Sequence, residues 1–212
     1  MRTQLTALTV LALAAAANAQ IVNGDFQAGN TGFVSGFTYE VAGGSPGLTD
    51  EGTYSIVSFD TLHPSWGDFF DHTHGNSDGL FLIANGATNS TSAGPAWSQT
   101  VAVTPNTQYE LSAWFASLFA GSPSAVEFRL DGNLLVPSIQ LGSTVGAWEQ
   151  HSVFFTTGVA TTSIDLAIWD TSGIQNGNDY GVDDIALSVV PTPGSAALLG
   201  LGGLAAARRR RA

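Results

Sequence analysis

The sequence predicts an all-β fold, an antiparallel β-sandwich of the jelly-roll type, and two observations favour this class. Short runs of apolar, β-branched and aromatic residues alternate with clusters of Gly, Pro, Asn and Ser, a regular spacing that is typical of sandwiches and jelly rolls. Between Ile21 and Val190 no long run has the spacing of an amphipathic helix, and charged residues make up only 11% of the chain.

The predicted strands follow one another along most of the chain. They comprise residues 22–27, 33–41, 54–59, 79–84, 97–103, 108–119, 125–130, 134–141, 148–157, 163–169 and 180–189. The clearest hairpin is expected between Trp97 and Trp114, with Pro105 and Asn106 at its turn. The last run alternates apolar and polar residues, so one face is expected on the core and the other in water. We expect a single β domain over residues 20–189.

The N-terminus has the pattern of a secretory signal peptide. Arg2 supplies a positive charge, residues 5–17 form an apolar run, and Ala17-Asn18-Ala19 is a small-residue cleavage site. A core helix is the alternative, but the run has no polar face. We therefore expect residues 1–19 to be removed on export, which leaves Gln20 as the first residue of the mature chain.

The charge distribution excludes several classes of partner. The chain has no cysteine and a formal net charge of −11, and its six basic residues are all arginines. Five of these arginines lie in the two terminal segments, so Arg129 alone faces the seventeen carboxylates of the central domain. A surface of this kind repels nucleic acid and anionic lipid, and it favours cations or neutral partners.

Three short motifs resemble the carbohydrate-binding-module type of galactose-binding-like jelly roll. They are Asn23-Gly24-Asp25-Phe26-Gln27, the segment from Trp97 to Trp114, and the segment from Asn178 to Asp184. The resemblance implies a structural calcium ion where the first and last strands meet, with Asp25 and Asp183 or Asp184 as ligands. Gln27 stands where those modules commonly have glutamate. The alternative is that these aspartates cap turns or end strands in water.

The C-terminal segment, residues 190–212, resembles the PEP-CTERM sorting signal of exopolysaccharide-producing Gram-negative bacteria. It contains Pro191-Thr192-Pro193, an apolar stretch over 194–207 and a cluster of arginines (Arg208, Arg209, Arg210 and Arg211). Threonine replaces the glutamate of the usual motif. The apolar stretch, a short sorting helix, is shorter than the roughly 20 residues that span a bilayer. The resemblance implies transient insertion in the inner membrane, cleavage by an exosortase and release to the envelope or outside; a permanent anchor is the alternative.

Alternation along the strands predicts a polar face that carries aromatic residues. Trp114 and Glu110 are expected on the solvent-facing side of the strand over 108–119, and Trp169 and Asp165 on the solvent-facing side of the strand over 163–169. Arg129 is expected on the solvent-facing side of the strand over 125–130. If these faces belong to one sheet, they form a plate on which a sugar ring stacks against indole while charged groups bind its hydroxyls. The alternative is that loops cover the two tryptophans.

A long polar loop over residues 61–78 is a second candidate site. Its histidines and aspartates suit a transition metal, although their spacing matches no strong signature; they are His63, Asp68, Asp71, His72, His74 and Asp78. Backbone hydrogen bonding by the histidines is the alternative. Trp66, Phe69 and Phe70 are expected to fix this loop on the sandwich.

The resemblances imply an exported, non-enzymatic protein that binds extracellular polysaccharide or associates with it in a biofilm or envelope. No nucleophile elbow, P-loop or His-Glu-x-x-His motif is present. Two alternatives stay open: a self-associating matrix protein without a sugar site, and a polysaccharide-acting enzyme with two carboxylates in a cleft.

Overall fold

The computed structural model describes residues 21–41, 47–58, 63, 65–67, 69–89 and 93–191. The predicted signal peptide and the sorting segment beyond Pro191 lie outside these residues, as does Asp68. Within the described ranges no helix is long and apolar enough to cross a membrane.

The described residues form a β-sandwich of two sheets. The strands are β1 Thr38–Tyr39, β2 Thr53–Val57, β3 Phe81–Asn85, β4 Trp97–Ala102, β5 Gln108–Ser117, β6 Ala125–Leu130, β7 Asn133–Leu134, β8 Ile139–Gln140, β9 Glu149–Thr156, β10 Ser163–Asp170 and β11 Tyr180–Val189. The larger sheet has the order β1-β2-β3-β11-β5-β9 and the smaller β4-β10-β6-β7, with β8 also paired to β6. Every pairing is antiparallel except β1 with β2. The predicted all-β sandwich is confirmed.

The predicted hairpin between Trp97 and Trp114 is wrong. Strand β4 pairs with β10 in the smaller sheet, whereas β5 pairs with β11 and β9 in the larger one. The connection around Pro105 therefore crosses between the sheets, and it is fixed by contacts with a distant part of the chain: Val103 N–H donates to Thr162 and Asn106 N–H donates to Gly158. A turn signal fixes a reversal of the chain but not the partner of the following strand.

The predicted first strand, over 22–27, is also absent. Asn23 and Phe26 both have φ of 55°, a left-handed conformation that breaks an extended run. The side chain of Asn23 donates to the carbonyls of Gly29 and Thr31, which holds the segment as a compact loop. Residues 33–41 likewise contribute only β1 and an isolated bridge between Val34 and Ser98.

The main core lies between the two sheets. Alternate residues of β5 point into it and meet apolar residues of β6 and β10, as the alternation in the sequence predicts; the fully buried set includes Tyr109, Leu111, Phe115, Val126, Phe128, Leu166 and Ile168. Phe115 and Phe128 meet across the sandwich with ring centroids 5.8 Å apart. Each such side chain contributes about 1.5–3 kcal/mol through its removal from water.

A second, smaller cluster covers part of the outer face of the larger sheet. Trp66 and Phe69 pack there with Phe81 and Ile83 of β3 and with Leu118, which directly follows β5. The prediction that aromatic residues fix this loop is thus confirmed for Trp66 and Phe69. Phe70, by contrast, is 38% exposed. This packing places Trp66 beside the ends of β2, β3 and β11.

Candidate functional site

The polar plate predicted from strand alternation does not form as one surface. Glu110 and Trp114 lie on β5 in the larger sheet, whereas Arg129, Asp165 and Trp169 lie on β6 and β10 in the smaller sheet. The alternation of apolar and polar residues distinguishes the solvent-facing side of a strand from its buried side, but it does not specify the sheet to which the strand belongs. The two tryptophans are therefore on opposite faces of the sandwich.

On the smaller sheet the polar groups are paired with one another. The guanidinium carbon of Arg129 lies 4.3 Å from the ring centroid of Trp169, and its nitrogens donate to Glu127 at 2.8 and 3.0 Å. Asp165 accepts a hydrogen bond from the hydroxyl of Thr100. Arg129 thus covers one face of the Trp169 indole, and the positive charge of Arg129 is paired with the Glu127 carboxylate.

On the larger sheet one face of Trp114 is covered by a histidine. The imidazole of His72 stacks on the indole with centroids 3.7 Å apart and an interplanar angle of 17°. His72 Nδ1 lies 2.7 Å from Asp184 Oδ2. The 69–78 loop therefore closes over part of this sheet face.

The carboxylates expected to bind calcium have other partners. Asp183 Oδ2 accepts from the backbone N–H groups of His72 and Thr73, and its Oδ1 accepts from the N–H of Asp184. Both oxygens of Asp184 face the side chains of His72 and Thr73. The side-chain N–H groups of Gln27 donate to the Leu80 and Asp25 carbonyls. Asp25 and Asp184 nevertheless line one pocket together with Asn23 and Gly24, so a calcium ion held by Asp25 and Asp183 or Asp184 stays a prediction.

The loop histidines do not converge on one point. His63 stacks on Trp66, His72 contacts Asp184, and His74 Nδ1 lies 3.0 Å from Asp71 Oδ2. In the part of the chain that the structure describes, no group of three or more His, Asp or Glu side chains is arranged to hold a metal ion. The imidazoles and carboxylates of this loop instead fix its conformation.

Among the described residues a cavity of about 350 Å³ lies where β2, β3 and β11 meet the loops that connect them. This volume is within the range of small-ligand sites, about 300–1,000 Å³. Its lining combines carboxylates, amides and aromatic rings: Thr49, Asp50, Glu51, His63, Ser65, Trp66, Asn85, Phe119, Gln175, Asn176, Gly177 and Asp179. We call it the loop-end cavity.

One wall of the loop-end cavity is held by a buried hydrogen bond. Trp66 Nε1–H donates to Asp179 Oδ2 at 2.9 Å, and the backbone N–H of Gly86 donates to Asp179 Oδ1 at 3.3 Å. The imidazole of His63 stacks on the indole of Trp66 at 4.8 Å. The second aromatic cluster thus fixes the position of a carboxylate in the cavity.

Glu51 is the electrostatically perturbed group of the loop-end cavity. Burial, together with the smaller effect of the negative charges of Asp179 and Asp170, raises the pKa of Glu51 from 4.5 to about 7. Its Oε2 atom is buried and has no hydrogen-bond partner among the described residues. Burial also lowers the pKa of His63. Perturbed titratable groups in a cavity are typical of functional sites.

A buried polar network lies next to the cavity. Asp170 Oδ2 accepts from the N–H of Ala87 and from the side-chain amide of Asn178. Burial raises the pKa of the Tyr180 phenol well above its ordinary value, and the charges of Asp170 and Asp179 add to this effect. The Tyr180 hydroxyl and Asn178 Oδ1 are buried and meet no hydrogen-bond partner in the described ranges.

The raised carboxyl pKa values predict that stability falls as the pH rises. Burial raises the pKa of Glu51 from 4.5 to about 7 and that of Asp183 from 3.8 to about 7. At a pH between the ordinary and the raised pKa of each carboxyl, the folded chain binds more protons than the unfolded chain. The free energy of unfolding therefore decreases as the pH increases toward 7. We expect a higher melting temperature at pH 5 than at pH 8, measured by differential scanning fluorimetry. In Glu51→Gln the melting temperature should depend less on pH. An unchanged pH dependence in this variant would contradict the raised pKa of Glu51.

Sequence reasoning did not identify most of this cavity. Asp179 was recognisable as an acidic residue at the start of the last strand, and His63 and Trp66 as members of the polar loop. Glu51, Asn85 and the 175–177 turn carry no motif. The one local signal is Glu51-Gly52 before a strand, which marks a turn without indicating what it faces.

No protein-family model and no curated protein matches the chain. Among solved structures it is similar to the CBM22-1 xylan-binding domain of Paenibacillus barcinonensis Xyn10C, with 14% identity and a TM-score of 0.52 over 84% of this chain and 99% of that one. It is also similar to the tandem CBM22-1-CBM22-2 domain of the same protein, with 16% identity and a TM-score of 0.52 over 85% of this chain and 48% of that one. The chain therefore has a two-sheet β-sandwich fold like that of carbohydrate-binding modules.

Proposed function

We propose that the protein is a non-enzymatic, exported protein that binds extracellular polysaccharide through the loop-end cavity. The observation that carries this proposal is the combination, in one cavity, of an aromatic wall with carboxylate and amide groups. Sugars are bound by such combinations, because the apolar face of the ring packs on aromatic side chains and the hydroxyls take hydrogen bonds. The fold shared with a xylan-binding domain supports the same class of ligand.

The loop-end cavity suits a ligand better than either sheet face does. On the sheet faces, Trp114 and Trp169 each have one ring face occupied, by His72 and Arg129. In the cavity, a carboxylate oxygen of Glu51 has no partner in the described part of the chain. The side chains of Gln175 and Asn176 are exposed at the rim, where they can donate and accept hydrogen bonds.

The proposal includes the route of the protein out of the cell. Residues 1–19 would be removed as a signal peptide, and residues 190–212 would hold the chain briefly in the inner membrane until an exosortase cleaves near Pro191-Thr192-Pro193. The folded 20–189 domain would then reach the envelope or the extracellular matrix. Mass spectrometry of the exported protein tests this route, because intact terminal segments would contradict it.

Affinity electrophoresis tests the binding proposal. We expect the purified protein to be retarded in gels that contain its polysaccharide, relative to gels without it. A Glu51→Gln, Asn176→Ala double variant should lose most of this retardation while its melting temperature at pH 5 is kept, since both side chains lie on the cavity lining. Trp114→Ala and Trp169→Ala, on the two sheet faces, are the matched controls and should be retarded like the unchanged protein.

Three results would contradict the proposal. Loss of retardation in Trp114→Ala or Trp169→Ala alone would place the site on a sheet face. Release of new reducing ends from the polysaccharide would show a catalytic pair of carboxylates instead of a binding site. No retardation across a broad glycan panel would favour the matrix-protein alternative.

A further inference from the structure

Three asparagines of the chain are followed directly by a glycine, namely Asn23, Asn85 and Asn176. Asparagine is a thermolabile residue. A following glycine makes it more reactive, because glycine has no Cβ to shield its backbone nitrogen from the asparagine side chain. The three positions therefore share the same intrinsic chemistry, and the fold determines which of them reacts.

The side chain of Asn23 is held in place by three hydrogen bonds. Its Nδ2 donates to the carbonyls of Gly29 and Thr31, both at 2.8 Å. Its Oδ1 accepts from the backbone N–H of Ala28, also at 2.8 Å. An attack on Cγ of Asn23 would need these bonds to break, so folding protects this position.

Asn85 is protected by burial and by the contacts of the glycine that follows it. Asn85 is 4% exposed at the end of β3, and its side-chain amide donates to the carbonyl of Leu48 at 2.8 Å. The nitrogen that would attack it belongs to Gly86, whose N–H donates to Asp179 Oδ1 at 3.3 Å. Reaction at Asn85 therefore requires a local opening of the fold.

Asn176 has neither kind of protection. Its side chain is exposed, and no hydrogen bond to a described residue involves that side chain or the N–H of Gly177. Both residues line the loop-end cavity, so the reacting atoms border the cavity rather than the packed core. Glycine is required at 177, because a Cβ there would overlap Ser122.

We propose that Asn176 is a site of spontaneous deamidation, which changes an amide on the lining of the loop-end cavity into a carboxylate. The backbone nitrogen of Gly177 loses its proton and attacks Cγ of Asn176, and the new N–Cγ bond closes a cyclic imide. The Cγ–Nδ2 bond breaks, and the amide nitrogen leaves as ammonia with that proton. Water then hydrolyses one of the two imide C–N bonds, which yields aspartate or isoaspartate.

The change affects both the charge and the shape of the cavity rim. Either product adds a carboxylate to a lining that already carries Asp50, Glu51 and Asp179. The rim loses an amide that donates hydrogen bonds and gains a group that only accepts them. Isoaspartate also lengthens the main chain close to Asn178, which is buried and donates to the carbonyl of Ser122 at 2.8 Å.

Peptide mapping by mass spectrometry over time tests this inference on the full-length protein, incubated at pH 8 either folded or in urea. In urea the three asparagines should convert at similar rates, because the fold no longer distinguishes them. In the folded protein Asn176 should keep a rate close to its rate in urea. Asn23 and Asn85 should convert at least about tenfold more slowly than Asn176, since they react only after a local opening.

Matched variants assign the acidic form that should accumulate on anion-exchange chromatography of the folded protein. Asn176→Gln keeps an amide at the rim but forms the corresponding larger ring much more slowly, so the acidic form should be lost. Asn133→Gln makes the same change at an exposed asparagine that is followed by leucine. The acidic form should accumulate in this control as in the unchanged protein.

Three results would overturn the inference. The first is a rate at Asn176 that falls as far on folding as the rates at Asn23 and Asn85. The second is conversion of Asn23 or Asn85 as fast as that of Asn176 in the folded protein. The third is an acidic form that accumulates equally in Asn176→Gln. The inference goes beyond the proposed function and does not depend on a bound sugar, so these results leave polysaccharide binding to its own test.

Discussion

Trp66→Ala is expected to lower the free energy of unfolding by about 3–5 kcal/mol, the usual cost of removing a buried large aromatic side chain. Trp66 is 7% exposed, packs in the second aromatic cluster and donates to Asp179 at 2.9 Å. The substitution leaves a void beside β3 and removes the donor that holds one carboxylate of the cavity. Urea denaturation followed by circular dichroism measures the loss, and glycan binding should be lost with it.

Trp169→Ala provides the comparison for this prediction. Trp169 is also a tryptophan at the surface of a sheet, but its polar contact is the stacking with Arg129, which contributes about 0.5–1 kcal/mol at an exposed site. We expect its effect on unfolding to be much smaller than that of Trp66→Ala. Similar losses in the two variants would mean that Trp66 does not anchor the loop. A Trp66→Phe variant keeps an aromatic ring without the N–H donor and separates packing from hydrogen bonding.

Asp170→Ala is the second substitution with a large expected effect on the free energy of unfolding, a loss of about 1–3 kcal/mol for each buried donor that is left without an acceptor. Asp170 is fully buried. Its oxygens accept hydrogen bonds from Ala87, Asn178, Ser172 and Ser124. The variant leaves these donors buried without an acceptor, which is costly for each of them.

Asp165→Ala, on the same strand, is the matched control. Asp165 is exposed on the outer face of the smaller sheet, where substitutions usually change stability by about 0.5 kcal/mol or less. Both variants can be compared in one set of urea denaturation curves. A loss for Asp165→Ala as large as that for Asp170→Ala would contradict the role of burial and of the hydrogen-bond network.

The sequence predicted the architecture of the domain better than its connectivity. Alternation identified the buried faces of β5, β6 and β10 because each strand has one side on the main core. The partners of those strands depend on contacts far apart in the chain, as the separation of β4 from β5 shows. Local turn residues do not encode such contacts.

The candidate site was predictable only in part for the same reason. Trp66 and His63 belong to one loop, but Glu51 and Asp179 come from the ends of strands that pairing with β3 brings together. Glu51 becomes a candidate because burial and two neighbouring carboxylates perturb its pKa. None of these conditions is visible in the residues around it.

The five tryptophans of the chain allow the central claim to be tested in one experiment. Each indole N–H gives a separate signal in a two-dimensional ¹⁵N NMR spectrum, and only Trp66 lines the loop-end cavity. Addition of an oligosaccharide that binds the protein should shift the Trp66 signal, while the signals of Trp114 and Trp169 should not move. A shift of Trp114 or Trp169 with an unchanged Trp66 signal would contradict the account and place the polysaccharide on a face of the sandwich.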